Sequence, residues 1–468
     1  MPDLAATLPT VGEGGKTFTF RLRRGIRYSD GSLVRPQDFR RSLERSLRLE
    51  VASTSMQKIV GASRCGNARC DLSQGVEASG DSLVIRTTEP TPRLPIDLSG
   101  IYPIPRGTPM RNVGTKPVPG TAPYMIESYA PARERTRRSR PIRGQLTLVR
   151  NPHFHVWSEA ARPDGYPDEI VLRLGPIGDR AVQQVLSGKA DVLLGETPAD
   201  RIADLRASHP RQLHVGPQHA TAFLYMNTRA HPFDDIRVRK AVNYAIDRDA
   251  VANMFGGPEL AQPTCQLVPP ALTGYKRYCP YTVGRDESGR WKAPDLARAR
   301  RLIAASGTRG ERVVVWTFKP TFSKQGRYFV SLFRKLGYRA QLKELPDLGT
   351  YFTTIPTAHP QSGLAGFFGL TVGTDILKTL ACDSPVNWAR FCDRGLDRLV
   401  ARAERGYAND AVAAGQLTAR IDRELVQAAP WVPLFTPKFA DLVSARVGNY
   451  QATGIGPLLD QIWVRRPR

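Results

Sequence analysis

The sequence predicts an α/β protein of two lobes, and three observations carry that reading. From residue 168 on, short apolar runs alternate with amphipathic helical periods: DEIVLRL, DRAVQQVLSG, ADVLLG, ADRIADLRAS and AFLYM follow one another. A second series, helix then strand then helix then strand, runs from 295 to 345. Alternation of this kind argues for a mostly parallel sheet with helices on its faces. The chain is 468 residues long, enough to bury a large core and to divide into two or three domains. Two α/β lobes crossed by several segments leave a cleft, where small ligands commonly bind.

The elements follow in order. TFTFRLR at 17–23 alternates apolar and polar residues as a half-buried strand does. Gly25 turns the chain, Ile26–Tyr28 pair back as a second strand before the turn at Asp30–Gly31, and Pro36 opens a helix with Phe39, Leu43 and Leu47 on one face. SLVIRTTEP at 82–90 is a strand. The Pro- and Gly-rich stretch 101–124 is irregular. Tyr124–Tyr129 and QLTLVRN at 145–151 form a hairpin whose long tip is the basic run within 132–143.

The stretch 222–254 is the best specified. Ala222–Met226 makes a buried strand, Asn227 and Thr228 end it, and Pro232, Asp234 and Asp235 mark a turn. Asp235 caps a helix, because its carboxylate accepts from free backbone N–H groups. Val238, Ala241, Val242, Ala245 and Ile246 form the apolar stripe, while Arg237, Arg239, Lys240, Asp247 and Arg248 point elsewhere.

Beyond 256 a loop-rich segment precedes the helix DLARARRLIAASG, which Gly307 stops. RVVVWTF is a strand, FVSLFRKLGYRAQLKEL a helix and a strand, and GLAGFFGL at 363–370 an apolar, Gly-rich strand. GLDRLVARAERG and AAGQLTARIDRELVQAAP are helices. WVPLFTP and FADLVSARV are two strands, and LDQIWV closes the chain.

Hydrophobic residues make up 41% of the chain and no apolar run approaches 18 residues, so no transmembrane helix is expected. The start, MPDLAATLPTVGEGG, has neither the basic nor the apolar region of a signal peptide. The formal net charge of +24 favours acidic partners. Apart from 132–143, however, the arginines are scattered rather than gathered on one stripe, and no nucleic-acid motif accompanies them. The charge is read as an Arg-rich surface, and no nucleic acid is expected as partner.

Six cysteines fall into three close pairs, Cys65 with Cys70, Cys265 with Cys279 and Cys382 with Cys392, separated by four, thirteen and nine residues. An even count at short separations points to three local disulfides rather than zinc, which favours two-residue spacings. Disulfides imply an oxidising compartment.

Motifs of catalysis are missing. Gly15-Lys16-Thr17 lacks the first glycine of a phosphate loop, since Thr10 stands there, and a strand follows instead of a helix. There is no GxSxG and no HExxH. His153 and His155 would share a strand face, but two histidines without a third ligand make a weak metal site. No catalytic residue, cofactor or metal is assigned, and an enzyme is the least supported reading.

Several segments together resemble the extracytoplasmic solute-binding proteins of family 5, the peptide-, dipeptide- and nickel-type receptors of ABC transporters. They are TFTFRLRRGIRYSDGSLVRPQDF, GTAPYMI (with Ala122 where the family has Gly), LVRNPHFHVW, VLSGKADV, LYMNTRAHPFDDIRVRKAVNYAIDRDAV and DQIWV. The resemblance covers almost the whole chain and is most specific at 225–248.

It implies a type II periplasmic-binding-protein fold, with two lobes joined by a hinge and an extra domain. Residues 1–118 would be that extra domain packed on lobe I, 119–255 lobe I without its first strands, 256–440 lobe II, and 441–468 the return to lobe I. It implies a receptor that captures a peptide-like or other small solute between its lobes and presents it to ABC permease subunits. Such a receptor is monomeric and extracytoplasmic. The ligand would meet Tyr225 and Asn227 at a strand end near the hinge, and the edge at Phe367, Phe368, Gly369 and Leu370. For Asn227 the alternative is a strand end capped through its own backbone bonds.

Oligopeptide-type members of the family carry Gly-Trp followed by an Asp that pairs with the ligand's α-amine. In GFFGLTVGTDI at 366–376, Leu370 stands in place of the Trp and Gly373 at the Asp register, and Asp375 lies two residues further on. Asp375 would substitute only if the loop were rearranged. The competing reading is a cytoplasmic ligand-sensing domain of a longer transcriptional regulator, which would fit the basic charge and the absent leader.

Overall fold

The computed structural model describes residues 2–465 apart from 67–68, 132–143, 175–177, 195–196, 286, 408–409 and 454–455. The chain forms two compact units. One comprises Met1–Ile177, Arg446–Gln451 and Pro457–Arg468, and the other Gly178–Ala445 with Ala452–Gly456. No helix among the described residues is long and apolar enough to cross a membrane.

The first unit is built on two antiparallel sheets. β1 (Thr10–Gly12), β2 (Thr17–Arg21), β3 (Val76–Ser79) and β4 (Ser82–Arg86) lie in the order β1-β2-β4-β3. Phe18, Leu43, Leu72, Val76 and Ile85 form the core between this sheet and the helix Pro36–Arg48. That helix starts at the expected proline. Asp38 reaches back to accept the Arg35 N–H at 2.9 Å and the Tyr28 hydroxyl at 3.0 Å, which explains how a carboxylate can be buried here. Ile26–Tyr28 do not form the expected strand. They pair across the turn with 32–34 instead, through a single bridge between Arg27 and Leu33 and the bonds Tyr28 N–H to Ser32 C=O and Val34 N–H to Ile26 C=O, both at 2.9 Å.

The second sheet joins β5 (Tyr124–Ala130), β6 (Gln145–Arg150) and β7 (Glu169–Arg173). β5 and β6 pair as the expected hairpin, while its basic tip lies outside the described residues. His153 and His155 are both exposed. Trp157 donates its indole N–H to Asp3 at 2.9 Å, and Trp463 is part of a two-residue strand paired with Val447–Gly448.

In the second unit the main sheet contains β8 (Val192–Leu193), β9 (Leu213–Pro217), β10 (Thr221–Met226), β11 (Ala261–Pro263), β12 (Arg312–Phe318), β13 (Arg339–Leu345), β14 (Ser362–Phe367) and β15 (Trp431–Val443). Its central order is β11-β15-β10-β14-β12-β13, with β8 and β9 paired to β15.

The sheet is mixed rather than mostly parallel. Only β12 runs parallel to its neighbours, β13 and β14, whereas β10 is antiparallel to both β14 and β15. Helices over 10 residues long connect the parallel part, as a parallel crossover needs. The two strands expected at the C-terminal end are one 13-residue strand. It pairs with β10 and β11 in its first half and with β9 and β8 in its second, changing partners near Pro437, which has no N–H to give to a ladder.

The segment after β10 folds largely as its pattern dictates. Asp235 accepts the Arg237 N–H at 2.7 Å and caps the helix Ile236–Ala245, which buries Val238, Ala241 and Val242. The helical pattern then breaks at Ile246. Asp247 caps a second helix, Arg248–Phe255, by accepting from Ala250 at 2.9 Å. Two of the arginines expected off the apolar stripe are also buried. Arg248 is fully enclosed, and its Nε donates to the carbonyls of Thr264 and Pro433, both at 2.9 Å. Burial pushes its pKa down to about 9. Arg239 donates to the carbonyls of Phe233 at 2.8 Å and Ala428 at 3.0 Å.

The helix Ile236–Ala245 is tied to the helix Leu296–Ser306. The Asp295 N–H bonds the Tyr244 carbonyl at 2.8 Å, and the Arg298 guanidinium lies 4.4 Å from the Tyr244 ring centre. One core therefore joins residues 222–252 to 261–435.

Candidate functional site

The strand β14 is apolar and rich in glycine for a reason visible at Gly363. A Cβ there would lie 2.5 Å from the hydroxyls of both Tyr225 and Tyr351, two fully buried rings. The Tyr351 hydroxyl donates to that of Tyr225 at 3.4 Å, and burial pushes both pKa values up. Only glycine admits this pair beneath the strand.

On one side β14 pairs with β10 along its whole length, from Ser362 opposite Met226 to Phe367 opposite Thr221. On the other it meets β12 only at Ser362 and Gly363. Beyond Gly363 no strand among the described residues covers that edge. Leu364 and Ala365 are buried, Gly366 and Phe367 half-buried, and Phe368 and Gly369 exposed, so the unpaired edge surfaces at Gly366 and Phe367, where the strand ends. An open strand edge is a row of N–H and C=O groups able to pair with an extended chain.

Aromatic rings pack on the sheet face that carries Phe367. Phe367 stacks on Trp388 with centroids 5.4 Å apart and lies 5.5 Å from Phe223. Phe223 in turn stacks on Trp431 at 3.7 Å. Trp388 also contacts Phe352 at 5.2 Å and Tyr225 at 5.8 Å. Trp388 arrives on the loop closed by the Cys382–Cys392 disulfide. Asn387 shapes that loop by donating to the carbonyls of Ala381 at 3.0 Å and Phe391 at 2.6 Å. Thr228, just past β10, holds it from below: its N–H bonds the Ala389 carbonyl at 2.8 Å and its hydroxyl the Arg390 carbonyl at 3.2 Å.

After Phe367 the chain leaves the strand, three residues earlier than its pattern suggested. Gly369 takes a positive φ of 69°. Leu370, 7% exposed, is fixed by His219: its N–H bonds the His219 carbonyl at 3.1 Å, and its own carbonyl lies 3.1 Å from His219 Nδ1. Asp375 closes the loop. Its Oδ2 accepts the Thr371 N–H at 2.8 Å, the Thr371 hydroxyl at 2.7 Å and the Val372 N–H at 3.0 Å, and Lys378 Nζ stands 3.7 Å from Oδ1.

The structure thus brings Phe367, Phe368, Gly369, Leu370 and Asp375 into one rim and leaves Tyr225 and Asn227 out of it. Tyr225 lies four residues along β10 from the partner of Phe367 and is wholly buried. Asn227 builds the turn at the strand end. Its Oδ1 accepts the Arg229 N–H at 3.1 Å and its Nδ2 donates to the Pro360 carbonyl at 3.4 Å. Trp388, Phe223, Trp431 and Tyr351 were not singled out from the sequence. For Trp388 the signal was present as a large ring inside a short disulfide loop. No group of three or more His, Cys, Asp or Glu among the described residues is placed to hold a metal. All three expected disulfides, Cys65–Cys70, Cys265–Cys279 and Cys382–Cys392, are formed.

Residues 1–365 match the family model described as "Bacterial extracellular solute-binding proteins, family 5 Middle". The periplasmic oligopeptide-binding protein OppA of Salmonella typhimurium is 25% identical over 96% of this chain and 81% of its own length. The probable di/tripeptide-binding protein 5 of Pseudomonas aeruginosa is 23% identical over 97% and 85%. Among solved structures, the clavulanic acid biosynthesis oligopeptide binding protein 2 superposes with a TM-score of 0.83 at 23% identity, covering 99% of this chain and 86% of that one. DppA of Helicobacter pylori in complex with the peptide STSA gives a TM-score of 0.74 at 18% identity, over 99% and 89%. These likenesses bear out the expected periplasmic-binding-protein fold.

Proposed function

We propose, on the premise that this chain belongs to the bacterial extracellular solute-binding proteins of family 5, that it is the solute-binding receptor of an ABC importer and that its ligand is peptide-like. The observation that carries this reading is the edge of β14. No strand among the described residues pairs with it beyond Gly363, it reaches the surface at Gly366 and Phe367, and the Phe367 ring stacks on Trp388 beside it. An extended ligand backbone adds to such an edge through main-chain hydrogen bonds, with side chains received by the aromatic wall. Phe367, Phe368 and Gly369 contact the ligand. Leu370 and Asp375 hold the rim in shape, and Tyr225 and Asn227 belong to its framework.

The chemistry is binding, with no bond made or broken. The names of the relatives support the receptor over the regulator: OppA of Salmonella typhimurium and the di/tripeptide-binding protein 5 of Pseudomonas aeruginosa are named as binding proteins, and OppA as periplasmic. They also support an extracytoplasmic location, where three disulfides persist. Delivery to membrane permease subunits follows from the same reading.

The test is thermal denaturation of the full chain with pooled di- to pentapeptides. A ligand that binds only the folded state at a hundred times its Kd adds about 2.7 kcal/mol of stability. A rise in Tm with a peptide pool, lost in Phe367→Ala, is expected. No rise with any pool, together with unchanged tryptophan fluorescence, overturns the proposal.

A further inference from the structure

We infer that the rim at Phe367–Thr371 receives an uncharged, apolar end of the ligand, such as a blocked amino terminus, and that Asp375 is a positioning residue for this rim rather than a partner for a cation. The inference rests on the peptide reading above.

Asp375 is a carboxylate that reaches the rim, and its Oδ2 is committed there. One oxygen, Oδ2, accepts three bonds from Thr371 and Val372. Lys378 Nζ, 3.7 Å from Oδ1, supplies a counter-charge that it shares with Glu404 at 3.5 Å. A ligand ammonium could take Oδ2 only by displacing two backbone N–H groups and a hydroxyl, which would then lack partners.

What the rim turns outward is neutral. Phe368 is 58% exposed and Gly369 has no side chain. Both backbone groups of the apolar Leu370 are engaged by His219, and the Thr371 hydroxyl is bound to Asp375. An ammonium set against this surface loses water and gains no charge, whereas a blocked amide or an alkyl end loses little. The three hydrogen bonds that occupy Oδ2 also fix the loop, and Lys378 offsets the charge beside it, so the shape of the rim and its indifference to cations arise together.

The test compares trileucine with N-acetyl-trileucine by calorimetry on the full chain. The acetylated peptide is expected to bind about tenfold tighter or more. Binding of the free peptide should tighten as pH rises through its α-amine pKa of about 8, while binding of the blocked one stays constant. Asp375→Asn should weaken both peptides by the same factor. If that variant does not fold, Thr371→Val serves: by freeing one bond at Oδ2 it should shift the preference toward the free amine. Equal affinity, or tighter binding of the free peptide that Asp375→Asn selectively abolishes, overturns this inference alone. Binding of neither peptide, with no response to any other peptide, overturns the peptide reading and this inference with it.

Discussion

The Trp388 indole stacks on the Phe367 ring with centroids 5.4 Å apart and planes 18° from parallel, joining a disulfide loop to the last residue of a sheet strand. The two are 21 positions apart and arrive by different routes. Phe367 is set by the pairing of β14 with β10, and Trp388 by the Cys382–Cys392 loop that Thr228 anchors. The contact is offset and nearly parallel, an arrangement aromatic pairs favour. Because Trp388 also touches Phe352 and Tyr225, it is where the rim meets the core.

Trp388→Ala should therefore cost about 3–5 kcal/mol of stability, as expected for a large buried ring replaced by a methyl. Trp388→Phe keeps a ring in the stack and should cost clearly less. Urea denaturation of the two variants checks this, and equal, small losses would show that Trp388 packs loosely.

Opening the loop should act through the same contact. Replacing both Cys382 and Cys392 by Ser removes a ten-residue closure, worth about 2–3 kcal/mol in the chain-entropy account. It also frees Trp388 from its mount, so tryptophan fluorescence should shift toward that of a more solvated indole. Stability lost without any spectral shift would mean that Thr228 and Asn387 suffice to place the ring.

Gly363→Ala should destabilise by about 1–3 kcal/mol, because its Cβ meets two hydroxyls at 2.5 Å in a fully buried setting. Removing both hydroxyls, in a Tyr225→Phe, Tyr351→Phe background, should recover only part of the loss, since the Tyr225 ring carbon Cζ stands at 2.7 Å. Thermal denaturation of the four variants separates the terms. An additive result would place the cost elsewhere.

Much of the fold could be read from local pattern. The strand Thr221–Met226, the Asp235 cap and the helix stripe at Val238, Ala241 and Val242 needed only burial periodicity and capping chemistry. What escaped was set by distant partners. Arg248 lies off the apolar stripe, yet it is buried and held by carbonyls from Thr264 and from Pro433, 185 positions away. The helix Leu348–Ala358 carries Thr, Tyr, Phe, Ile and an internal proline, a strand-like composition that the Asp347 cap and tertiary packing override. Of the proposed site, the sequence offered 367–370 as one strand edge, of which only Phe367 lies in the strand. The aromatic wall was not legible, because no local rule says which of six tryptophans a disulfide loop delivers to that edge. Asp375 showed its position but not its role, which depends on bonds to Thr371 and Val372 that only the folded loop reveals.

Asp422 gives a pH signature. It is fully buried on the helix Ala411–Ala428 and fastens the segment beside Cys265: Oδ1 accepts the Leu267 N–H and Oδ2 the Gln266 amide, both at 3.0 Å. Burial pushes its pKa up to about 6, against the hydrogen bonds from Leu267, Gln266 and Val268, which lower it. The folded state therefore holds this proton more tightly than the unfolded chain, whose Asp titrates near 3.9. Between those values the folded protein binds more protons, so stability falls as pH rises and flattens above about 6. A shift of about two units corresponds to about 3 kcal/mol lost across that window. Asp422→Asn cannot titrate, so the difference in unfolding free energy between the parent and this variant should change by roughly that amount from pH 4 to pH 6 and stay level from 6 to 8. Urea denaturation at each pH measures it, and a difference that is flat from pH 4 to 8 would mean that Asp422 keeps an ordinary pKa despite its burial.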